Sequence, residues 1–351
     1  MKILGIETSC DETSASIIEA NRSDRKVKLI SNVVASSLRL HSKTGGIVPE
    51  IAAREQVKYI IPVIKKTLKD LSIAIDAIAV TVGPGLIGSL IVGVETAKTL
   101  AYVWNKSIIP VNHLIGHIYA NFVGENPKLN AKRYTLNANI GFPALALIVS
   151  GGHTDLVLLK DHGKITWLGG TRDDASGEAL DKIGRLLGLP YPGGPAIEQT
   201  AKNGDSKSYR FPRPMIDSDD FDFSFSGLKT AVLRKVKTMK QLNNETIANL
   251  SASVQQAIID VLVSKTLKAA QKYKVKSILL GGGVAANQKL RDELKLNARR
   301  YTLNANFFAP AKKLCTDNGA MIATAAFFNY KPIPWQKITT DPELYFDDVL
   351  Q

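Results

Sequence analysis

The sequence predicts an α/β protein of two related lobes made by duplication of one fold. The length, two widely separated strand–turn–strand hairpins and two glycine-rich strand-to-helix loops carry that expectation. At 351 residues the chain exceeds one ordinary core, and about 150 residues per domain suggests two lobes. KILGIE, the polar turn TSCDET and SASIIEA make residues 3–20 a β-hairpin with a polar tip. ALALIVS, GGHT and DLVLL repeat that scheme at 144–159. Two hairpins of one design, each opening a long α/β stretch, point to duplication, with a cleft between the lobes facing both tips. The expected division is 1–127, 140–333 and a carboxy-terminal tail, 334–351.

Between the hairpins, DAIAVTVGPGLIGSLIVGVETAKTLAYVW reads as strand, Gly/Pro loop and helix. A glycine loop at a helix start suits an anion, or simply a tight turn that needs glycine. KSILLGGGVAANQKLRDEL, at 276–294, repeats the scheme. Its spacing is neither GxGxxG nor GxxxxGK[ST], so Rossmann and P-loop readings fail, but such a loop can accept the flat face of a nucleoside. A separate oddity is KLNAKRYTLNAN at 128–139, which returns as KLNARRYTLNAN at 295–306. Each copy precedes an apolar segment, so each is expected in or beside a surface connection as a recent in-frame insertion. Deleting residues 128–139 should then leave folding and activity nearly intact.

Composition bounds the function. The 45% hydrophobic and 22% charged fractions belong to a folded protein. No apolar run reaches the roughly 18 residues that span a bilayer, and no signal or transit pattern precedes KILGIE, so a cytoplasmic location is expected. Cys10 and Cys315 are too few for a disulfide framework or a thiolate zinc site. With 45 Lys+Arg against 32 Asp+Glu the net charge is +13, which favours a polyanionic partner such as nucleic acid or reflects a general basic bias.

Two short stretches carry chemistry. HLIGH places His113 and His117 four apart, on one face of a helix, where two imidazoles can meet one ion or merely pack. Leu114 stands where HExxH proteases carry their glutamate base, which disfavours a protease. SGGHT, at the second hairpin tip, offers the Gly151 and Gly152 amides with the Ser150 and Thr154 hydroxyls as a cradle for phosphate oxygens, and DET (11–13) tips the first hairpin.

Paired tips of this kind resemble the actin-like ATPase and sugar-kinase (ASKHA) superfamily, with its two duplicated RNase H-like lobes. The resemblance narrows over GIETSCDETS (5–14), GGIVPEIAAREQ (45–56), GPGLIGSL (83–90), NHLIGHIYA (112–120) and VSGGHTDLV (149–157). It continues through DDASGEALDKIGRLLGLPYPGGP (173–195), FSFSGLKTAV (223–232), GGGVAANQKLR (281–291) and CTDNGAMIA (315–323). On these blocks the chain is identified as a member of the TsaD/Kae/OSGEP family, tRNA N6-adenosine threonylcarbamoyltransferases, and looks like its bacterial type. Gln56, where relatives often have His, and DDASGEALDK, where DDAAGEAFDK is usual, depart from the pattern without removing a proposed ligand.

The resemblance implies a role for each block. His113 and His117 would bind one divalent metal ion, iron (Fe2+) or zinc, with Asp317 of CTDN as third ligand from the opposite lobe; alternatively TDN caps a helix. Ser150, Gly151, Gly152, His153 and Thr154 would hold the nucleotide phosphates, and Asp181, Gly194 and Asn287 the adenosine part. His153 is, by position, a candidate to remove a proton. The implied reaction moves the threonylcarbamoyl group from threonylcarbamoyl-adenylate to N6 of adenosine 37 in ANN-decoding tRNAs, releasing AMP. Implied partners are tRNA, TsaB and the small ATPase TsaE, with the adenylate from a TsaC-type enzyme; a self-sufficient homodimer is the alternative. Rival readings are a metalloprotease, a kinase of the same superfold, and a non-catalytic nucleic-acid-binding module.

Overall fold

A computed structural model describes residues 1–21, 23, 26–68, 74–123, 140–239, 241–301 and 305–346. The first copy of the duplicated segment lies outside them. Contacts divide the chain into unit 1, Met1–Ile140 with His162–Ile165 and Pro310–Gln351, and unit 2, Gly141–Asp161 with Thr166–Ala309. The first boundary falls close to the expected one. The carboxy-terminal residues differ from expectation: from Pro310 onward they group with unit 1, and Asp317 with them.

Unit 1 opens with β1 (Lys2–Glu7), β2 (Glu12–Ala20) and β3 (Val27–Ser36), an antiparallel meander whose first turn is the polar tip read from the sequence. Helices α1 (Leu38–Thr44) and α2 (Pro49–Leu68) follow, then β4 (Ala77–Gly83), α3 (Ile87–Trp104), β5 (Ser107–Asn112) and α4 (His113–Tyr119). β4 pairs parallel to both β1 and β5, giving the sheet order β3-β2-β1-β4-β5. Every residue of β4 is buried, as a central parallel strand covered on both faces requires. On one face Leu4, Ile6, Ile78 and Val80 pack against Ile60 and Ile64 of α2 and Val94 and Ala97 of α3.

Unit 2 repeats the plan with β6 (Ala144–Val149), β7 (Thr154–Asp161) and β8 (Lys164–Gly170). Helices α5 (Ser176–Leu186), α6 (Gly193–Ala201), α7 (Ser226–Lys237) and α8 (Asn244–Lys272) precede β9 (Ser277–Gly281), α9 (Gln288–Tyr301) and β10 (Asn306–Phe308). β9 lies parallel to β6 and to β10, and the order β8-β7-β6-β9-β10 matches that of unit 1 strand for strand. This is the duplicated RNase H-like arrangement of the ASKHA fold. α8 is long and apolar enough to cross a membrane by length and composition, but most of it is buried inside the protein, where the fully buried Lys265 donates to Ser218 and Asp220.

Of the second copy of the duplicated segment, residues 295–301 lie in a helix rather than in a connection. Residues 295–301 complete α9, because Leu294 and Ala298, four apart, are both fully buried and continue the apolar face begun by Leu290. The Gln271 side chain of α8 donates to the Tyr301 carbonyl at 2.7 Å and ties the helix end down.

The chain returns to unit 1 with α10 (Gly319–Phe328), nine of whose ten residues are buried. It covers the other face of β1 and β2, so closely that a Cβ on Gly5 would collide with the Gly319 carbonyl. Ile333 then bridges to Ile108, the Asp341 amide donates to the Val82 carbonyl, and Ile338, Leu344 and Phe346 are buried. The described part of the expected tail is therefore a strap of unit 1.

Candidate functional site

Three parallel strands of unit 1 end on the same edge, at Glu7, Gly83 and Asn112. The carboxyl ends of such strands are where α/β proteins place ligands. Asn112 turns the chain into α4: its Oδ1 accepts the Leu114 and Ile115 amides, while its Nδ2 donates to the Tyr345 carbonyl of the strap at 3.0 Å. The capped helix starts at His113, so His113 and His117 share a face, with ring centroids 4.6 Å apart. α10 packs on α4, where a side chain at Gly116 would strike Ile322 and Met321. Asn318 caps α10 by accepting the Met321 amide, which leaves the neighbouring Asp317 carboxylate free to face the histidines.

One ligand atom each of His113, His117 and Asp317 lies within 4.8 Å of the others. Oδ1 of Asp317 stands 3.3 Å from His117 Nε2 and 3.6 Å from His113 Nε2. His117 is 1% exposed, and neither of its ring nitrogens has an aligned hydrogen-bond partner. Buried nitrogens left unmatched beside a carboxylate are what a metal ion would satisfy, so the donor set fits one divalent cation.

The electrostatics agree. Burial holds His117 below the ordinary imidazole value, and a charge on His113 works in the same direction, so His117 is the neutral, ligating form. Burial pulls His113 down too, but the Asp317 and Glu7 carboxylates overcome it and push its pKa up to about 9. For Asp317 burial works upward, and the two histidines outweigh it, holding it at about 2. Burial, then the charge of Asp317, raises both the Cys10 thiol and the Glu12 carboxyl. Negative charge is thus in excess around the trio.

The tip of the first hairpin is braced from three sides. The Gln56 amide nitrogen meets the carbonyls of Thr8, Cys10 and Glu12 at 2.8–3.1 Å. Ser89 donates to the Cys10 carbonyl, and the Leu86 amide to that of Ser9. Gly85, at φ +157, could not carry a Cβ without striking Ser9. The glycines of GPGLIGS thus let the loop backbone approach the hairpin tip closely.

In unit 2, Ser150 and His153 close the SGGHT turn with two hydrogen bonds, while positions 151 and 152 face open space. Thr154 accepts the Ser176 amide at the start of α5, and Gly177 abuts the Ser150 carbonyl. Gly282, at φ +91, packs on Val149, so the GGGVAAN loop adjoins the same turn. Asp181 Oδ1 accepts the Gly193 amide at 2.6 Å, joining it to the PGG turn that holds Gly194. Burial raises its pKa against the Gly193 and Gly194 amides. Asn287 accepts the Leu290 amide, capping the start of α9, and donates to Gln255. The SGGHT turn, the start of α5 and the loop after β9 therefore meet at the carboxyl end of β6. His153 has Asp155 as its near carboxylate, 3.7 Å from Nδ1.

The family model for TsaD, tRNA N6-adenosine threonylcarbamoyltransferase, matches residues 28–324. This chain belongs to the TsaD family. Among TsaD relatives, the tRNA N6-adenosine threonylcarbamoyltransferase of Syntrophomonas wolfei is 45% identical over 93% of this chain and 92% of its own. That of Moorella thermoacetica is 47% identical over 93% and 92%. Full-length HypF in its phosphate- and nucleotide-bound form shares the fold at 11% identity, with a TM-score of 0.60 over 93% of this chain and 46% of that one, about half its length. The TsaD match takes in the trio and every expected residue of the unit 2 loops. Glu7, whose only sequence signal is a lone acid closing an apolar strand, and the Asn112 tether to the strap were not singled out by sequence reading.

Proposed function

We propose that this chain transfers the threonylcarbamoyl group from threonylcarbamoyl-adenylate to N6 of adenosine 37 in ANN-decoding tRNAs. The N6–carbon bond forms, the bond from the acyl carbon to the phosphate oxygen breaks, and AMP leaves as one N6 proton is lost. Membership of the TsaD family supports the reaction, and convergence of His113, His117 and Asp317 in unit 1 is the single observation that carries its metal dependence. Two imidazoles and one carboxylate with open positions suit Fe2+ first and Zn2+ second. When bound, such an ion polarises the acyl group and neutralises charge.

In unit 2, the Gly151 and Gly152 amides and the Ser150 hydroxyl receive the adenylate phosphate, while the buried Thr154 hydroxyl, bonded to Ser176, ties the turn to the start of α5. Asp181, Gly194 and Asn287 take its ribose and base. His153, whose Nδ1 lies 3.7 Å from Asp155, is the candidate to accept the N6 proton at that turn. The net charge of +13 supports tRNA held mainly through phosphates. Packed against each other at Ala53 and Gly88, α2 and α3 leave Val57, Ile61, Ile87 and Ile91 exposed, which supports a protein partner, TsaB, with TsaE joining it.

The test is transfer of labelled threonine from preformed adenylate to an ANN-decoding tRNA, with and without added TsaB and TsaE. Label on A37 from the native chain, lost in His113→Ala, is expected. Equal labelling by both forms would overturn the metal role, and none under any condition would overturn the reaction.

A further inference from the structure

The end of β1 carries a carboxylate to which the reading above gives no task. Glu7 is wholly buried. Its Oε1 accepts the Ser9 amide at 2.5 Å, and its Oε2 accepts the Thr81 hydroxyl at 2.5 Å and lies 3.1 Å from Nδ1 of His113. Ser9 Oγ lies 3.1 Å from the same nitrogen. A carboxylate met by donors has no proton to give, so Nδ1 is the donor in the contact with Glu7. With hydrogen kept on Nδ1, the ring nitrogen left for a cation is Nε2, and Nε2 is the atom that faces Asp317 at 3.6 Å.

The placement follows from the sheet. β1 pairs in parallel with β4, with Ile6 opposite Val80 in register, and this puts Glu7 beside Thr81; β5 lies next to β4 and runs out into Asn112 and His113. A carboxylate on the first strand, gripped by a hydroxyl on the second, thus meets the helix that begins where the third ends. Hydrogen bonds from outer groups that fix ring orientation and tautomer are a general feature of histidine metal ligands.

We propose that Glu7 is a positioning residue, selecting the Nδ1–H tautomer of His113 and holding its ring so that Nε2 is presented to a divalent cation. The inference rests on the cation reading of His113, His117 and Asp317. Glu7 touches no substrate; it acts through the histidine. A glutamine in its place can turn an NH2 group toward Nδ1 and so favour the opposite tautomer, at nearly unchanged volume.

Two measurements on the full-length, metal-stripped chain test this. Co2+ titrations followed by d–d absorption compare the native chain with Glu7→Gln and His113→Ala. The expected result is roughly 10- to 100-fold weaker Co2+ binding by Glu7→Gln, with shifted bands and a metal-free melting temperature close to native. Native affinity in a folded Glu7→Gln would overturn the proposal while leaving the cation site standing. No Co2+ binding by the native chain would remove the cation reading itself, and the proposal with it. The second measurement needs no variant: 15N-histidine NMR of the native chain with Zn2+ should show His113 protonated at Nδ1 and metallated at Nε2. Metallation at Nδ1 would overturn the proposal.

Discussion

Asp173 shows how one side chain can start a helix distant from it in sequence. Its carboxylate accepts the Phe225 and Ser226 amides and the Ser224 and Ser226 hydroxyls, so it caps α7 from outside. Burial pushes its pKa up, and those hydrogen bonds outweigh burial, leaving it below the ordinary value. For a depressed carboxyl the stabilisation is complete above the unfolded value near 4 and is lost as pH falls through the lower folded value. Asp173→Asn should therefore lower the melting temperature modestly at neutral pH, the exposed carboxylate being screened by solvent, and thermal melts of native and variant should converge as the medium is acidified below that range. Sequence reading paired His113 with His117 by their spacing, and Asp317 joined them only through the family resemblance. It passed over Glu7 because the types of Ser9, Thr81 and Glu7 announce nothing until strand register brings them together. Asp181 and Asn287 come only through the resemblance, and both hold helix starts.

At the scale of elements, α4 is only seven residues long and depends on its ends. Asn112→Ala should cost roughly 1 kcal/mol from the cap alone and more through loss of the Tyr345 tether. It should also weaken divalent-cation binding, since both histidines ride on that helix; melting temperature and Co2+ titration report the two effects. The duplicated segments make a second contrast. Excising residues 295–301 removes the buried Ala298 and the Gln271–Tyr301 bond, and should abolish soluble protein, as a yield assay would show. The two hairpins were legible because alternation and polar tips are local signals. The affiliation of α10 was not, since GAMIATAAFF is apolar all round and no periodicity says which surface it will cover.

For the whole molecule, the unequal split of the chain has energetic weight. Ile338, Leu344 and Phe346 of the strap are 2%, 4% and 7% exposed, and each such side chain contributes about 1.5–3 kcal/mol. Against a typical total of about 5–15 kcal/mol, truncation after residue 330 should leave unit 1 unable to fold, with little soluble product. The same division governs biosynthesis. Residues 141–309 emerge from the ribosome before α10 and the strap exist, so unit 2 can complete its sheet while β1, β2 and α4 still lack their cover. A chain that stops between His117 and Asp317 holds both histidines and lacks the carboxylate. The three donors of the trio therefore coexist only once Asp317 has been made, late in synthesis and after the whole of unit 2.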